Sequence, residues 1–326
     1  MSNRPRVCIF GAGAIGSYIG AEFCLAGINV SLVARGAHLA AMRERGLRLQ
    51  MIEGDERVAW PTCTDVPSAL GVQDYLIITL KAHQIPGAIE SMIPLLGPDT
   101  CVVTASNGLP YWFFDHVVEG SDDMLLHAID PGRAQWRVLG TERAVGCVVY
   151  PAASVVAPGV IRHEHGRKFP IGEPDGAPSG RVDQLHDLFE HAGFDAPIRD
   201  DIRDEIWLKL WGNLCFNPIS VLTGTTVDVI AANPETRALC EHMMGEAKAI
   251  GERLGLHLRV DAKRRIEGVA ALGAHKMSML QDLEHGRSME IEPLVGVVQE
   301  LGRLLHMPTP TIDVVLALVR QRARCN

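Results

Sequence analysis

Residues 11–16 read GAGAIG, directly behind the apolar run RVCIF and ahead of the segment IGSYIGAEFCLAG at 15–27. Glycine weakens strands and helices alike by about 0.5–1 kcal/mol relative to alanine, so three of them at a strand-to-helix handover require a reason. The spacing Gly11-x-Gly13-x-x-Gly16 is that of the phosphate-binding turn of a dinucleotide fold. Gly11 permits the tight turn, Gly13 lets the backbone approach a pyrophosphate, and Gly16 lets helix and strand pack closely. The context agrees: the motif follows the first strand, the helix ends at Gly27, and a second strand begins at once. The turn from Gly11 through Ala12, Gly13, Ala14 and Ile15 to Gly16 then presents unpaired N–H groups and partial positive charge to the phosphates.

The end of the second strand indicates which nicotinamide cofactor fits. An acidic residue there would bond the ribose 2′-hydroxyl of NAD. Between Ile28 and Arg43 there is no Asp or Glu, and the strand INVSLVAR closes on Arg35, where a 2′-phosphate would lie. The expected cofactor is NADP, as NADPH, with Arg43 a solvated helix residue. Lys81 and Asn107 follow the apolar runs YLIITL and CVVTAS, at the carboxyl ends of strands where an open α/β sheet holds its ligand.

From residue 6 to about residue 150 short β-rich runs (RVCIFG, INVSLVAR, YLIITLK, CVVTAS, AVGCVVY) alternate with helical segments, the pattern of a parallel sheet with crossover helices. VAPGVIRHEHGRKFPIG reads as an antiparallel hairpin turning at Pro158-Gly159 and added to the sheet edge, with His163 and His165 exposed on one face. GEPDGAPSG at 172–180 is a turn or linker, followed by the helix RVDQLHDLFEHAG. Beyond about residue 200 strand-like runs nearly vanish. Asn233 as N-cap, Pro234 at the first helical position and Gly255 as a stop mark one long helix of an all-helical second domain.

The 326-residue chain is 47% apolar and 21% charged, enough for a real core in about two domains. A formal charge of −8 argues against a nucleic-acid partner, and RERGLR and AKRRIEG read as solvated helix faces. No apolar run reaches the length of a membrane span, and the N-terminus lacks a signal core, so a cytoplasmic protein is expected. The eight cysteines contain no C-x-x-C pair and read as reduced core residues rather than metal ligands.

The second informative stretch is IWLKLWGNLCFNP at 206–218. On a helix Lys209, Asn213 and Asn217 stand at i, i+4 and i+8 and form one polar stripe, while the rest is apolar or glycine, as in a buried helix. Asparagine is a poor helix former, and a buried amide left unpaired costs about 1–3 kcal/mol. Such a stripe requires polar company, which a bound substrate can supply.

Taken together, GAGAIG, Arg35, KAHQ at 81–84, SNG at 106–108, WLKLWGNLCFN at 207–217 and SMLQDLEHGRSMEIE at 278–292 resemble the ketopantoate reductase (2-dehydropantoate 2-reductase) family over nearly the whole chain. The resemblance implies an α/β fold: an NADP-binding Rossmann domain over residues 1–198 and an all-helical substrate domain, like the C-terminal domain of 6-phosphogluconate dehydrogenase, over 199–326, with a cleft between them. It implies NADPH-dependent reduction of 2-dehydropantoate, a small-molecule 2-oxo acid, to (R)-pantoate for pantothenate and coenzyme A synthesis. Matched motif by motif, Lys209 is the implied proton donor, Asn213 and Asn217 substrate ligands, and Ser278 a ligand of the substrate carboxylate. Glu290 is the acidic residue near Lys209 and the ligands, and Lys81 and Asn107 bind cofactor, Asn107 also lying close to the substrate.

The chemistry suits these residue types independently. Hydride arriving at a ketone carbon builds charge on its oxygen, and an ammonium aimed there stabilises that charge and delivers the proton. A nearby carboxylate favours the charged ammonium. Pro110, Val227 and His275 depart from the family pattern beside the substrate, which leaves a paralogous NADPH-dependent reductase of another 2-oxo acid or carbonyl compound as an alternative. A non-catalytic NADPH-sensing module is a third. Both a monomer and a homodimer are compatible with the helical second domain.

Overall fold

The structure, a computed structural model, describes residues 4–115 and 126–325. The chain divides into two compact units, one of Met1–Ser106 with Arg133–Ile202, the other of Asn107–Gly132 with Arg203–Asn326. The sequence-based division at 198/199 lies four residues before the last crossing, and it missed that Asn107–Gly132 counts with the second unit. No change in composition marks that excursion, because its apolar residues Leu109, Trp112 and Phe113 suit either core.

Among the described residues the first unit carries eleven strands: β1 Val7–Phe10, β2 Val30–Val33, β3 Leu47–Gln50, β4 Glu56–Ala59, β5 Thr62–Thr64, β6 Tyr75–Ile78, β7 Cys101–Thr104, β8 Ala144–Cys147, β9 Ala152–Ala157, β10 Val160–His165 and β11 Ile171–Gly172. Its helices are α1 Ala14–Leu25, α2 Gly36–Arg45, α3 Ile85–Ala88, α4 Ala134–Leu139 and α5 Gly180–His191. Seven strands form one sheet in the order β11-β8-β7-β6-β1-β2-β5. Its members pair in parallel except β11, which runs antiparallel to β8. All five parallel strands read from the sequence are present. β1, β6, β7 and β8 are buried at every residue, which explains why they read as unbroken apolar runs rather than alternating ones. The strand order reverses at β1, so the carboxyl ends of β1, β2 and β6 flank the position where such sheets hold ligands.

The hairpin read at the sheet edge is a correction. β9 and β10 do pair antiparallel, but they belong to a separate four-stranded sheet ordered β4-β3-β10-β9. Only Ile171–Gly172 of the same stretch joins the main sheet, as β11. The physical reason lies in the inward face of β10: Ile161 and His163 are buried, and His163 stacks on Tyr18 of α1 at 4.7 Å while its Nε2 lies 2.7 Å from the Gly166 carbonyl. His163 is therefore packed, not exposed. β3 and β4 escaped the sequence reading because LRLQ and ERVA carry charge on their outward residues, and β5 because it is only three residues long, TCT. The 172–180 turn stays inside the first unit, where Ser179 caps α5 by accepting the Val182 N–H at 3.2 Å and buried Glu173 binds Arg181 at 2.6 Å.

The second unit holds α6 Ile202–Thr223, α7 Val227–Ala232, α8 Pro234–Arg253, α9 Ala262–Ala270, α10 Ser278–Glu284, α11 Val297–Leu304 and α12 Pro310–Arg324. α6 is buried nearly all round, with Trp207, Trp211, Leu214 and Phe216 at 0–1% exposure. α8 starts as read: Asn233 Oδ1 accepts the N–H groups of Glu235 at 2.9 Å and Thr236 at 3.1 Å. The two helices meet closely, since Trp211 Nε1 donates to the Met244 carbonyl at 2.7 Å and a Cβ on Gly251 would lie 2.6 Å from the Trp207 ring nitrogen. No helix among the described residues is long and apolar enough to cross a membrane.

Five cysteines are buried, Cys24 and Cys63 partly so, and Cys325 is exposed, all with free thiols. Burial pushes the Cys8 and Cys240 thiols up to about 12, so they remain neutral packing groups.

A Cβ on Gly16 would fall 2.2 Å from the Gly11 carbonyl oxygen and 2.3 Å from Thr79 Oγ1, whereas one on Gly13 meets nothing within 4 Å. Gly16→Ala is expected to lose about 2–3 kcal/mol in chemical denaturation through overpacking. Gly13→Ala is expected to stay within about 1 kcal/mol of the parent. Equal losses at the two positions would contradict this packing.

Candidate active site

The glycine-rich turn has the geometry its spacing implies. Gly11 adopts φ +110°, and a Cβ there would stand 2.8 Å from Leu80 Cδ2, so only glycine fits. The Gly11 and Ala12 N–H groups both reach the Val33 carbonyl, at 3.2 and 3.0 Å. Thr79 Oγ1 donates to the Gly11 carbonyl at 2.6 Å, a pin that sequence reading missed although the residue stands one place beyond β6. The first intrahelical bond of α1 runs from the Ser17 N–H to the Gly13 carbonyl at 2.9 Å. The N–H groups of Ala14, Ile15 and Gly16 thus lack acceptors within the helix. No acidic residue occupies that first turn, and the space over Gly13 is open. These features fit the phosphates of a dinucleotide.

Arg35 stands at the N-cap of α2, just past β2, and is exposed. Lys81 occupies the N-cap position of the short helical turn Ala82–Gln84 after β6 and is half-buried. Both cations and the glycine turn therefore lie at carboxyl ends of neighbouring strands of one sheet.

In the second unit, three residues far apart in sequence are hydrogen-bonded in a row. Lys209 Nζ donates to Asn107 Oδ1 at 2.8 Å, and Asn107 Nδ2 donates to Glu290 Oε2 at 3.3 Å. An ammonium only donates and a carboxylate only accepts, so these neighbours dictate which way the amide faces. Lys209 is half-buried and Glu290 is 6% exposed. Glu290 immediately precedes the helical residue Ile291 and a π-helical turn, Glu292–Gly296, and its carbonyl accepts the Leu294 N–H at 3.3 Å. The Asn107-Gly108 turn rests on that π turn: Gly108 has φ +88°, and a Cβ would come within 2.8 Å of the Pro293 carbonyl oxygen.

Two further residues anchor the segment that begins at Asn107. Arg203 donates to the carbonyls of Phe113 and Asp115 at 2.9 and 2.6 Å, and its guanidinium lies 5.8 Å from the centroid of the Trp112 ring. Glu300 accepts the N–H groups of His127 and Ala128 at 2.8 and 3.0 Å. Neither was singled out by sequence reading, since an Arg or Glu on a helix is ordinarily solvated.

The remaining members of the α6 stripe differ from one another. Asn217 is 1% exposed, and its Oδ1 accepts from the Met279 N–H at 3.1 Å and from Ser278 Oγ at 3.3 Å, which fixes the start of α10. Its buried Nδ2 has no acceptor among the described residues. Asn213 is half-buried and Ser278 exposed. Of the three positions where the chain departs from the family pattern, Val227 and His275 meet through an N–H to carbonyl bond of 3.1 Å, and Pro110 accepts the Phe113 N–H at 3.0 Å. Among the described residues no three His, Cys, Asp or Glu side chains gather as a metal ion requires. Asn217→Ala is expected to cost about 1–3 kcal/mol in urea denaturation, because the Met279 N–H would be left buried without its acceptor. An unchanged midpoint would show that this bond holds nothing.

Comparison with known proteins agrees with this layout. The family model described as ketopantoate reductase PanE/ApbA matches residues 7–176, and that for the ketopantoate reductase PanE/ApbA C terminal matches 201–323. The chain is 53% identical to the 2-dehydropantoate 2-reductase of Mesorhizobium japonicum, over 98% of each sequence. It superimposes with a TM-score of 0.94 on the crystal structure of a candidate ketopantoate reductase from Ralstonia solanacearum MolK2, at 41% identity and 99% coverage of each. A PanE/ApbA family ketopantoate reductase from Ralstonia eutropha JMP134 follows with a TM-score of 0.83 and 26% identity, over 98% of this chain and 99% of that one. With both family models matched in order along one sequence, the chain belongs to the ketopantoate reductase PanE/ApbA family of oxidoreductases.

Proposed function

We propose that this oxidoreductase reduces 2-dehydropantoate to (R)-pantoate with NADPH, a step toward pantothenate and coenzyme A. The observation that carries the reading is the Lys209–Asn107–Glu290 row, in which a half-buried ammonium is held by a neutral amide that is itself tied to a buried carboxylate. The 53% identical relative from Mesorhizobium japonicum bears the name of this reaction. NADPH is favoured over NADH by Arg35 at the end of β2 and by the absence of any acidic residue from Ile28 to Arg43.

When bound, NADPH supplies the hydride that reaches the carbonyl carbon. The protein's part is electrostatic and positional. Lys209 Nζ donates a hydrogen bond to the carbonyl oxygen, stabilises it as it becomes anionic, and releases a proton to it. Asn107 fixes the ammonium through Oδ1, so that little reorganisation remains for the reaction itself. Glu290, bonded to the same amide, supplies a negative charge that favours the charged form of the lysine. The side chains of Asn213 and Ser278, together with the Asn217 Nδ2, offer donors to the hydroxyl and carboxylate of a branched 2-oxo acid.

Lys209→Ala is expected to lower kcat by about 10²–10⁴-fold, the range for removing a general acid that also stabilises an oxyanion. NADPH affinity is expected to persist in that variant. The assay follows NADPH oxidation with 2-dehydropantoate beside a panel of other 2-oxo acids, run with NADH in parallel. Near-normal turnover by the variant would refute the role of Lys209. A clear preference for a different oxo acid would assign the chain to a paralogous reductase, and NADPH binding without oxidation by any oxo acid would mark a sensing module.

A further inference from the structure

His38 lies on α2 one turn beyond Arg35, half-buried, and bridges two other elements. Its Nδ1 accepts the backbone N–H of Gly159 at 3.0 Å, and its Nε2 lies 3.2 Å from Ser17 Oγ. Ser17 Oγ in turn donates to the carbonyl of Ala12, inside the glycine-rich turn, at 3.1 Å. The hydroxyl has a single proton and uses it on Ala12, so Nε2 must be the donor to Ser17. A backbone N–H only donates, so Nδ1 must be an acceptor. One state alone satisfies all three bonds: the neutral imidazole protonated at Nε2.

This row of bonds runs from the glycine-rich turn, through α1, to the helix whose N-cap is Arg35, and on to the tip of the β9–β10 hairpin. The tip is itself anchored, because the Gly159 carbonyl accepts the Arg48 N–H of β3 at 2.9 Å. It also packs on α2: a Cβ on Gly159 would stand 2.9 Å from Ala41 Cβ. α2 is thus held between two fixed points, and with it Arg35.

We propose that His38 is a positioning residue for the nucleotide, holding Arg35 at a set distance from the Gly11–Gly16 turn so that the chain prefers NADPH to NADH. The inference rests on the NADPH reading above and adds a residue that touches no cofactor. Protonation at Nδ1 would set two donors against each other at Gly159 and break the row. Burial lowers the His38 pKa below the ordinary histidine value, which opposes that protonation.

Most titratable and charged groups on the surrounding elements have partners of their own. On α1, Glu22 pairs with Arg57 at 2.6 Å, and Tyr18 stacks on His163. On β3, Arg48 pairs with Glu56, and on β10, Arg162 bonds Gln50 at 3.4 Å and His163 bonds Gly166, with Glu164 and His165 half-buried beside it. On α2 itself, Arg43 pairs with Asp65 at 3.3 Å and Arg45 with Glu44 at 2.5 Å, while Arg35 is exposed. Because burial lowers the His38 pKa, the neutral form and its bonds persist somewhat below the ordinary histidine value and are lost as the pH falls through the lowered folded-state pKa.

The test measures dissociation constants for NADPH and NADH by nicotinamide fluorescence with the parent, His38→Ala and His38→Asn, from about pH 8 to about pH 5. His38→Ala is expected to raise the NADPH constant about five- to tenfold, the worth of one or two net hydrogen bonds, with a smaller change for NADH. KM for NADPH should rise while kcat changes little. His38→Asn places Oδ1 where Nδ1 stood, so part of the NADPH preference should return, and the acid-side loss of NADPH affinity should be shallower than in the parent. Proton uptake by the 2′-phosphate itself, near pH 6, is common to both proteins and cancels in that comparison.

An unchanged NADPH/NADH ratio in the variants, or a parental acid-side slope in His38→Asn, would overturn the role of His38. Should His38→Ala fail to fold, His38→Asn carries both readouts. A parent protein that binds NADH as tightly as NADPH would instead overturn the cofactor reading, and that outcome is visible before any variant is made.

Discussion

The hydrogen bond from Lys209 to Asn107 is the constraint around which the second unit is organised. A half-buried ammonium on a helix that is otherwise apolar must be given acceptors, and removing an ion from water uncompensated costs several kcal/mol. The chain supplies the amide oxygen of Asn107, 102 positions earlier in sequence, and ties that amide to Glu290. Everything that fixes Asn107 then serves the cation: Gly108 in a left-handed conformation, the π turn beneath it, and the anchoring of the following segment by Arg203 and Glu300. A π turn is an uncommon way to begin a helix and is frequently found at functional sites, where it re-aims neighbouring side chains. Here it begins two residues after Glu290.

The first unit solves a different problem with backbone rather than side chains. Its three motif glycines are not interchangeable. Gly11 is required by its dihedral and by Leu80, Gly16 by contact with the Gly11 carbonyl and Thr79, and Gly13 by no described residue, since its Cβ would meet nothing within 4 Å. A glycine that no protein atom demands, at the mouth of a turn full of N–H donors, is what an incoming phosphate would demand. Open space at one position and tight packing at the two beside it thus leave room for a phosphate at Gly13 alone.

Much of this was legible in the sequence, for reasons particular to each element. β1, β6, β7 and β8 are buried on both faces, so they appear as apolar runs that need no context. The glycine spacing and the Lys209-x-x-x-Asn213-x-x-x-Asn217 stripe are local patterns, each within one element and its caps. What stayed hidden depends on partners distant in sequence. β3 and β4 alternate with charge and become strands through the pairing of β3 with β10. His163 looked like a surface histidine because its cover, Tyr18, lies 145 positions away on α1. The second unit's claim on Asn107–Gly132 rests on bonds to Arg203, Lys209, Glu290 and Glu300, none of which a local pattern announces.

The polar stripe of α6 shows how far one periodicity carries a functional argument. Its three members share a helical face, yet their bonding differs: Lys209 has Asn107, Asn217 has its oxygen engaged at the start of α10 but not its Nδ2, and no hydrogen bond engages the Asn213 side chain among the described residues. A buried amide donor without an acceptor costs about 1–3 kcal/mol, enough to be selected against unless something returns it. A purely structural cap at Asn217 would need only its oxygen, which an aspartate also offers, and would leave no donor behind. Keeping an amide there, in line with Asn213 and Lys209, makes sense when an acceptor-rich molecule completes the stripe. A 2-oxo acid, with a carboxylate and a ketone and no basic group, presents acceptors to all three. The residue types of the stripe thus suit the anionic carbonyl substrate proposed above.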